Sequence, residues 1–530
     1  AHIFNVAYGE PPGPVALYSD QWHALIQLAL REAERLGLEI TLHVCPGWSQ
    51  SGGPWVPPHL AMQEISVART NVSGGTVSLR LPRPPARYGF YADIAVLAVP
   101  RNPVEPPPVP ELGPRLSGTL PDDQLARVAD GRAETVAECP VPTPDAPAII
   151  QMEFVQPHVW GWARLRTGTF PEFPWEAEVE VSDDGTAWRR AARFPVMISP
   201  SVAFEPVTSR WVRVVIRRGH FFLARRITIE DVELGGPRIW EFPRKAAWAS
   251  GRIVPRPAGA WSAPLMSVPR ARVLDLTDHM TAHGELDAQL PPGEWTILRI
   301  GHTPTGMINK PARPEGTGLE CDKLNPQAVT LFFEGAMGRI FREAGRQAGG
   351  SLKGVLLDSW EAYCQNWTPA MPEEFRRRRG YEVRPWLPAL VGYVIEDEET
   401  TERFLWDFRR TIAELLADVY LDTLRGLAHR HGLHLIGEVV GINTPTTADQ
   451  FLCKGRADIP MGEFWLHGSQ DVKEAAAAAH VYGKRLVAAE SFTASREHAG
   501  WRSDPYSLKA LGDYAFTLGL NHIVFHRYAH

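Results

Sequence analysis

Five short apolar runs recur through the last third of the chain, and each one ends at polar residues. They cover residues 352–357, 433–436, 459–462, 486–489 and 523–525. Runs of this length predict strands that are buried on both faces, as in a parallel sheet. Patterns with helical spacing of apolar residues lie between them, including 326–348 and 402–431. This part of the chain is therefore predicted to alternate between strands and helices.

The same alternation occurs once near the start of the chain. A helix is predicted from Asp20, the candidate N-cap, to Gly37, the candidate C-cap, and a strand follows over 39–44. With the five later runs this makes six strands. We therefore expect an α/β fold built on a (β/α)8 TIM-like barrel that lacks its first two strands in this chain.

The pattern changes from about residue 75, where strand-like stretches alternate with proline-rich connectors such as 103–110. An Asp130-Gly131 turn is followed by strand-like runs at 178–188 and 211–216, which predict an inserted all-β sandwich. The early Asp-Gly loop and the late Arg-Trp-Val-Arg-Val run at 210–214 resemble discoidin-like, galactose-binding-type modules. Such modules bind sugar or buttress a catalytic domain, and for this insertion we expect the buttressing role.

Composition and charge argue against several classes of binding partner. At 530 residues the chain exceeds the size of one hydrophobic core, so several domains are expected. The net charge of −6, without a basic tract, argues against a nucleic-acid partner or an anionic membrane. No run of 18 apolar residues predicts a membrane span. The five cysteines are scattered without a CxxC spacing, which supports neither a disulfide framework nor a zinc site.

The 18 tryptophans are many for this length, and two of them, Trp48 and Trp55, lie in a loop rich in Gly and Pro. Exposed indoles stack on sugars, although a tryptophan is more often buried in a core. The chain begins at Ala1 without a Met, so we expect that any signal peptide has been removed or left out. The sequence leaves the compartment open, with the periplasm or the exterior favoured.

Four glutamates follow the apolar runs: Glu361, Glu438, Glu463 and Glu490. The C-terminal ends of the strands of a (β/α)8 barrel meet on one face, so these carboxylates are expected to share one pocket. Converging carboxylates indicate hydrolysis, metal binding or both. Salt bridges at the rim of the barrel are the alternative for any one of them.

Six motifs together carry a family likeness. They are 47–55 (GWSQSGGPW), 318–323 (GLECDK), 358–361 (DSWE), 377–381 (RRRGY), 461–465 (MGEFW) and 489–493 (AESFT). As a set they resemble glycoside hydrolase family 106, the α-L-rhamnosidases, over residues 20–75 and 270–530. The resemblance implies a (β/α)8 barrel, hydrolysis with inversion and a calcium ion that helps to hold the sugar. We also expect the opening strands and the C-terminal β-domains of that family to be absent here.

The resemblance implies roles for the acids. Glu361 is assigned as general acid and Glu490 as general base, and these two roles could be exchanged. Glu463 competes with them as base, as metal ligand or as acceptor of a sugar hydroxyl. Oxygen ligands for calcium are available at Glu438, Glu320 and Asp322, and also at Asp358.

Eight residues are expected to contact the substrate: His43, Trp48, Trp55, Lys323, Asp358, Trp360, Trp465 and His526. The expected domain order is a first barrel part (1–75), the inserted sandwich (76–240), a β-rich connection (241–315) and the rest of the barrel (316–530), truncated at its C-terminus. The expected function is removal of terminal α-L-rhamnose from glycans or glycosides.

Two alternatives remain at this stage. One is a glycosidase for another deoxy sugar or a uronic acid, for which Lys323 and Arg527 would bind the carboxylate. The other is a carbohydrate-binding protein without hydrolytic activity.

Overall fold

The computed structural model describes residues 1–7, 13–132, 135–168, 174–195, 200–219, 225–249, 265–440, 447–467, 471–495 and 498–527. The chain forms two compact units. We name the unit made of Ala1–Met62, Gly306–Tyr363 and Ile412–His530 the barrel unit, and the unit made of Gln63–Thr305 and Cys364–Thr411 the β unit.

The barrel unit contains one sheet of seven parallel strands within the described residues. Each strand pairs with the next one along the chain, which is the order of a βα barrel. The strands are β1 (His2–Ile3), β2 (Ile40–His43), β3 (Leu352–Leu357), β4 (His434–Gly437), β5 (Ile459–Trp465), β6 (Ala488–Thr493) and β7 (His522–Phe525). The predicted parallel, TIM-like alternation of strands and helices is therefore confirmed as a partial barrel.

Two details differ from the sequence prediction. The six predicted strands omitted β1, because two residues are too few to form an apolar run; β1 pairs with β2 at His2 and Thr41. Helix α1 (Asp20–Leu36) is capped by Ser19 rather than by Asp20, since the Ser19 hydroxyl accepts a 3.2 Å hydrogen bond from the Trp22 N–H. Its predicted end is confirmed, because Gly37 adopts the left-handed conformation with φ 67°.

The other helices of the barrel unit connect successive strands. They are α2 (Pro326–Ala344), α3 (Asp422–Arg430), α4 (Gln450–Arg456), α5 (Val472–Val481) and α6 (Pro505–Thr517), with 3-10 turns at Pro58–Leu60, Pro314–Gly316 and Gly345–Gln347. A π-helical turn, Leu416–Leu421, leads from the helix Glu398–Leu415 into α3. Apolar side chains such as Val355, Leu356 and Phe332 are fully buried in this unit.

The β unit is dominated by antiparallel sheets. A seven-stranded sheet consists of Arg115–Gly118, Ala137–Pro140, Ala148–Thr167, Pro174–Ser182, Arg189–Arg193, Ser201–Gly219 and Arg226–Gly235. A four-stranded sheet consists of Gln63–Arg80, Ala92–Pro100, Leu274–Asp275 and Glu285–Pro304. Each has its own apolar core, the first around Phe154, Trp160 and Val214, the second around Trp295 and Ile297.

Short elements complete the β unit. A two-stranded parallel sheet joins Ser267–Val268 to Val394–Ile395. The helices are Val109–Leu112, Asp122–Arg127, Phe242–Lys245, Met371–Arg379, Leu387–Leu390 and Glu398–Leu415, with 3-10 turns at Arg270–Arg272, Thr277–His279 and Arg384–Trp386. In the part of the chain that the structure describes, no helix combines the length and the apolar character needed to cross a bilayer.

Candidate active site

Polar side chains lie at the C-terminal ends of six neighbouring strands of the barrel unit. His43 is the last residue of β2, Asp358 and Glu438 directly follow β3 and β4, Glu463 and Glu490 lie within β5 and β6, and His526 directly follows β7. Glu463 and Glu490 occupy paired positions in the register of β5 and β6. The parallel sheet thus brings these residues to one edge, as expected for strands of a barrel.

Three of the carboxyl groups form a tight group, which we call the acid triad: Asp358, Glu438 and Glu490. One oxygen from each lies within 4.8 Å of the others. All three side chains are buried. Burial is the main cause that raises the pKa of Asp358 and of Glu438 well above their usual range, and the neighbouring acids raise both further.

Glu438 has the most unusual surroundings of the triad. It is fully buried, and neither oxygen of its carboxyl group has a hydrogen-bond partner among the described residues. Buried polar groups are normally paired, so an unpaired carboxyl here requires either a proton or a cation. Three carboxylate oxygens within 4.8 Å of one another fit a hard divalent cation, which prefers oxygen ligands. The acid triad could therefore hold a metal ion.

Glu361 lies outside the triad and has two defined partners. Its Oε2 accepts a 2.6 Å hydrogen bond from the indole N–H of Trp48, and its Oε1 accepts a 3.3 Å hydrogen bond from the Ser359 hydroxyl. Burial raises the pKa of Glu361 to about 7, although both hydrogen bonds act in the opposite direction. A carboxyl group with this pKa can carry a proton at neutral pH, as a general acid must.

Glu490 is held from two sides. Its Oε1 accepts a 2.5 Å hydrogen bond from the Thr493 hydroxyl and lies 3.2 Å from Nδ1 of His526. Burial raises the pKa of Glu490, and the hydrogen bond from Thr493 partly offsets this shift. The side chain therefore has a fixed position beside Asp358 and Glu438.

Glu463 is fixed through its backbone. Its N–H donates a 2.5 Å hydrogen bond to Oδ1 of Asp471, and its carbonyl accepts a 3.0 Å hydrogen bond from the Asp471 N–H. Burial raises the pKa of Glu463 to about 7, and the charge of Glu490 adds to the effect. Glu463 can thus change its protonation state near neutral pH, like Glu361.

The loop after β2 supports the strand ends. The carboxamide of Gln50 donates hydrogen bonds to the backbone carbonyls of Asp358 and Ser359, and the second of these is 3.1 Å long. His43 is buried, its ring is stacked on Phe4 at 4.9 Å, and its Nδ1 contacts the Cys45 carbonyl. This loop therefore fixes the backbone from which Asp358 and Glu361 extend.

Three of the residues expected at the substrate or the metal, Lys323, Glu320 and Asp322, lie outside the acid triad. Lys323 and Glu320 are fully buried and form an ion pair with an N–O distance of 2.6 Å. The Lys323 ammonium also lies 5.2 Å from the centre of the buried Trp360 ring. Asp322, fully buried, accepts a 3.0 Å hydrogen bond from the Leu324 N–H. The structure thus brings Glu438 together with Asp358 and Glu490, and neither Glu320 nor Asp322 belongs to that group.

Three of the expected aromatic residues, Trp48, Trp55 and Trp465, have different neighbours. Trp48 and Trp465 are half-buried, the first bonded to Glu361 and the second 5.3 Å from the His467 ring. Trp55 is also half-buried and packs against α2, where Gly335 leaves room for its indole: a Cβ there would lie 2.4 Å from the ring. Trp48 donates a hydrogen bond to Glu361, and a hydrogen bond with Trp465 lowers the pKa of Glu463, so each of these two indoles lies beside a different acid.

Two site residues were not predicted from the sequence. Lys454 of α4 donates a 3.0 Å hydrogen bond to the Glu438 carbonyl and forms a 2.9 Å ion pair with Asp471. Both side chains are fully buried. Lys454 could have been recognised in the sequence, because it directly follows the apolar stretch 451–453. Asp471, which precedes α5, has the pattern of an ordinary helix cap.

The chain is similar to known proteins in sequence and in structure. The family model Glyco_hydro_106, alpha-L-rhamnosidase, matches residues 9–530. The solved structure of a rhamnosidase from Novosphingobium sp. PP1Y is similar with a TM-score of 0.77 and 30% identity, over 100% of this chain and 52% of that chain. A Formosa agariphila protein named "Putative beta-glucuronidase" is 30% identical over 100% of this chain and 34% of its own length.

A separate likeness concerns a quarter of the chain. CpGH89CBM32-5, from Clostridium perfringens, solved in complex with GalNAc-beta-1,3-galactose, is similar over 24% of this chain with a TM-score of 0.21 and 15% identity. The chain spans about half the length of the solved rhamnosidase and about a third of the Formosa relative. The family match covers nearly all of the sequence, and the chain therefore belongs to glycoside hydrolase family 106, described as alpha-L-rhamnosidase.

Proposed function

We propose that the barrel unit hydrolyses terminal α-L-rhamnosides with inversion at the anomeric carbon. The observation that supports this most strongly is the set of buried carboxyl groups at the ends of β3 to β6, in a chain of family 106. An inverting glycosidase needs an acid at the leaving oxygen and a base at a water molecule on the other face of the sugar. We propose a supporting role for the β unit.

Glu361 is proposed as the general acid. Its pKa of about 7 leaves much of it protonated at neutral pH, and Trp48 and Ser359 hold the carboxyl group in one orientation. In the reaction its proton passes to the glycosidic oxygen as the bond from that oxygen to the anomeric carbon breaks. The aglycone then leaves as a neutral alcohol.

Glu490 is proposed as the general base. It takes a proton from the water molecule whose oxygen forms the new bond to the anomeric carbon. Its contacts with Thr493 and His526 keep one oxygen oriented. Glu463, its neighbour in the register, is the competing base, because burial raises its pKa to about 7, so it changes its protonation state near neutral pH.

A calcium ion is the proposed cofactor. Asp358, Glu438 and Glu490 would hold it, and the observation that fits it best is that the Glu438 oxygens have no hydrogen-bond partner among the described residues. When bound, the ion would supply positive charge that keeps the triad ionised and attracts hydroxyl groups of the sugar. Calcium takes 6–8 oxygen ligands, so three carboxyl groups leave room for others.

A uronic acid glycosidase is the second candidate, because the Formosa relative is named as a beta-glucuronidase and is as similar in sequence as the rhamnosidase. A uronate needs a cation beside its carboxylate. Lys323 is fully buried in its pair with Glu320, whereas Arg527 follows His526 directly and is exposed. Arg527 is therefore the residue that a uronate would contact under this candidate.

The test measures sugar release from aryl α-L-rhamnoside and aryl β-D-glucuronide by the whole chain. We expect the wild type to release rhamnose, and NMR should show that the anomer formed first has the inverted configuration. In Glu361→Gln and Glu490→Gln we expect kcat to fall about 10²–10⁴-fold. Glu343→Gln, on the surface of α2, is the matched control with unchanged activity. A chelator is expected to lower activity, and added calcium to restore it.

Other results would redirect the proposal. Full activity in Glu490→Gln together with inactive Glu463→Gln would transfer the role of base to Glu463. Release of glucuronate instead of rhamnose would establish the second candidate. Binding of rhamnosides without hydrolysis by the folded wild-type chain would indicate a carbohydrate-binding protein.

A further inference from the structure

A buried ion pair lies directly behind the strand ends that carry Glu438 and Glu463. It consists of Lys454 in α4 and Asp471, which precedes α5, with an Nζ to Oδ2 distance of 2.9 Å. Both side chains are completely shielded from solvent. Burying two charges is costly unless their geometry is good and their remaining hydrogen-bonding capacity is used.

Lys454 uses that capacity fully. An ammonium group has three N–H donors. In addition to Asp471, they bind the Glu438 carbonyl at 3.0 Å and the Met461 carbonyl at 2.7 Å. Glu438 directly follows β4 and Met461 lies in β5, so a single side chain ties two neighbouring strands together at the level of the acids.

Asp471 extends the connection to Glu463. Its Oδ1 accepts the Glu463 N–H at 2.5 Å, and its own N–H donates to the Glu463 carbonyl at 3.0 Å. Gly462 makes this approach possible, because a Cβ at that position would lie 2.6 Å from Oδ1 of Asp471. The backbone of Glu463 is therefore fixed on both sides.

We propose that Lys454 and Asp471 are positioning residues, which hold Glu438 and Glu463 in the orientation that the reaction and its cation require. The inference rests on the proposed function for its kinetic consequence. Its geometric basis is independent of which sugar is cleaved. Apolar side chains of similar size could fill the same space, but they could bind neither the two carbonyls nor the Glu463 N–H.

The experiment compares Lys454→Met, Lys454→Arg and Asp471→Asn in the whole chain. The matched control is Asp458→Ala: Asp458 precedes β5 and accepts the Leu435 N–H of β4 at 2.8 Å, so it ties the same two strands together farther from the acids. Four quantities are measured for each variant. They are kcat, KM, the thermal midpoint and the hydrogen-exchange rate of the amides in 459–465.

We expect Lys454→Met to lower kcat about 100-fold while KM changes by less than about threefold, since small displacements of reacting groups act mainly on the chemical step. Lys454→Arg should recover part of kcat. The Glu463 amide should exchange faster in Lys454→Met and Asp471→Asn than in wild type. Asp458→Ala should lower the thermal midpoint and keep kcat within about threefold.

A variant that fails to fold does not end the test. In Lys454→Met/Asp471→Leu both charges are removed, so no unpaired buried charge remains, and we expect this variant to fold with low kcat and rapid exchange at Glu463. Wild-type kcat in the folded double variant, or an equal loss of kcat in Asp458→Ala, would overturn the inference. If the wild type releases no rhamnose, the proposed function alone fails, and unchanged exchange at Glu463 would then overturn the positioning role.

Discussion

The indole N–H of Trp48 donates a 2.6 Å hydrogen bond to Oε2 of Glu361, which joins the loop after β2 to the loop after β3. The two residues are far apart in the chain, and their strands are neighbours in the sheet. The bond stabilises the ionised form of Glu361 and so opposes burial, and the net result is a pKa of about 7. Trp48 thus orients the proposed acid and also tunes its protonation.

Replacing Trp48 with Phe should alter the pH dependence of the reaction. Without the hydrogen bond to the ionised form, the pKa of Glu361 rises, and a general acid with a higher pKa stays protonated to higher pH. We expect the alkaline limb of the kcat/KM profile to move to higher pH. Loss of one hydrogen bond to a charged group should lower kcat/KM about 10- to 100-fold at the optimum.

The matched control for this change is Trp22→Phe, in α1 of the same unit. Trp22 packs edge-on against Tyr18, and its indole makes no hydrogen bond to an acid among the described residues. Its profile should coincide with that of the wild type. An alkaline limb that stays in place in Trp48→Phe would show that Glu361 is not the acid that this limb reports.

The leaving group should distinguish the acid from the base. A substrate whose leaving group is a weak base needs little protonation, so Glu361→Gln should retain far more activity on a 2,4-dinitrophenyl rhamnoside than on an alkyl rhamnoside. The loss on the alkyl substrate is expected to be about 10²–10⁴-fold. Glu490→Gln should lose activity equally on both. Equal losses in Glu361→Gln would assign the proton donor to another residue.

Stability should fall as pH rises when no cation is present. Burial raises the pKa of Glu361 and Glu463 from 4.5 to about 7, so the folded chain binds more protons than the unfolded chain between these values. The stability gained from this extra proton binding is fully present below about pH 4.5 and is lost as pH rises through about 7. The loss is on the order of 3 kcal/mol for each group. Thermal midpoints in a chelator should therefore be lower at pH 7.5 than at pH 5.

Calcium should reverse this fall, because it binds the ionised triad. We expect added calcium to raise the midpoint at pH 7.5 and to have little effect at pH 5, where protons compete for the same oxygens. In Glu438→Gln the response to calcium should be much smaller. A midpoint that rises from pH 5 to pH 7.5 in the chelator would contradict the buried, protonated acids.

The buried pair of Lys323 and Glu320 should matter for folding rather than for binding. Lys323→Met leaves a buried carboxylate without its partner, which is expected to cost about 3–5 kcal/mol in the free energy of unfolding. Lys509→Met breaks an exposed pair with Asp513 and should cost less than about 1 kcal/mol. Urea unfolding measures both. A similar small cost in both variants would contradict the burial of Lys323.

The architecture of the barrel unit could be predicted because each longer strand is a continuous apolar run. The strand β1, with two residues, gives no such signal, and it becomes a strand only because β2 lies beside it. The cap of α1 was misplaced by one residue because Ser19 and Asp20 are both good caps. Local rules of this kind do not determine which of two adjacent side chains reaches the N–H.

The acids of the triad were all among the candidate residues, since each follows or ends an apolar run. The sequence could not show that Asp358 joins Glu438 while Glu320 pairs with Lys323. Whether Asp358 joins Glu438 depends on how two strand ends come together, and whether Glu320 pairs with Lys323 depends on how other elements bury both side chains. Lys454 and Asp471 were missed for the same reason, because their role consists of bonds to the backbone of other strands.

The pairing of β2 with β3 has a consequence for synthesis on the ribosome. Ile40 and Leu352 are register partners, so roughly 300 further residues must be synthesised after β2 before its second neighbouring strand, β3, exists. At about 5–20 residues per second this interval is on the order of 15–60 s. During that time the backbone N–H and C=O groups on one edge of β2 are unpaired, so we expect chaperones that cover exposed strand edges to raise the yield of native chain.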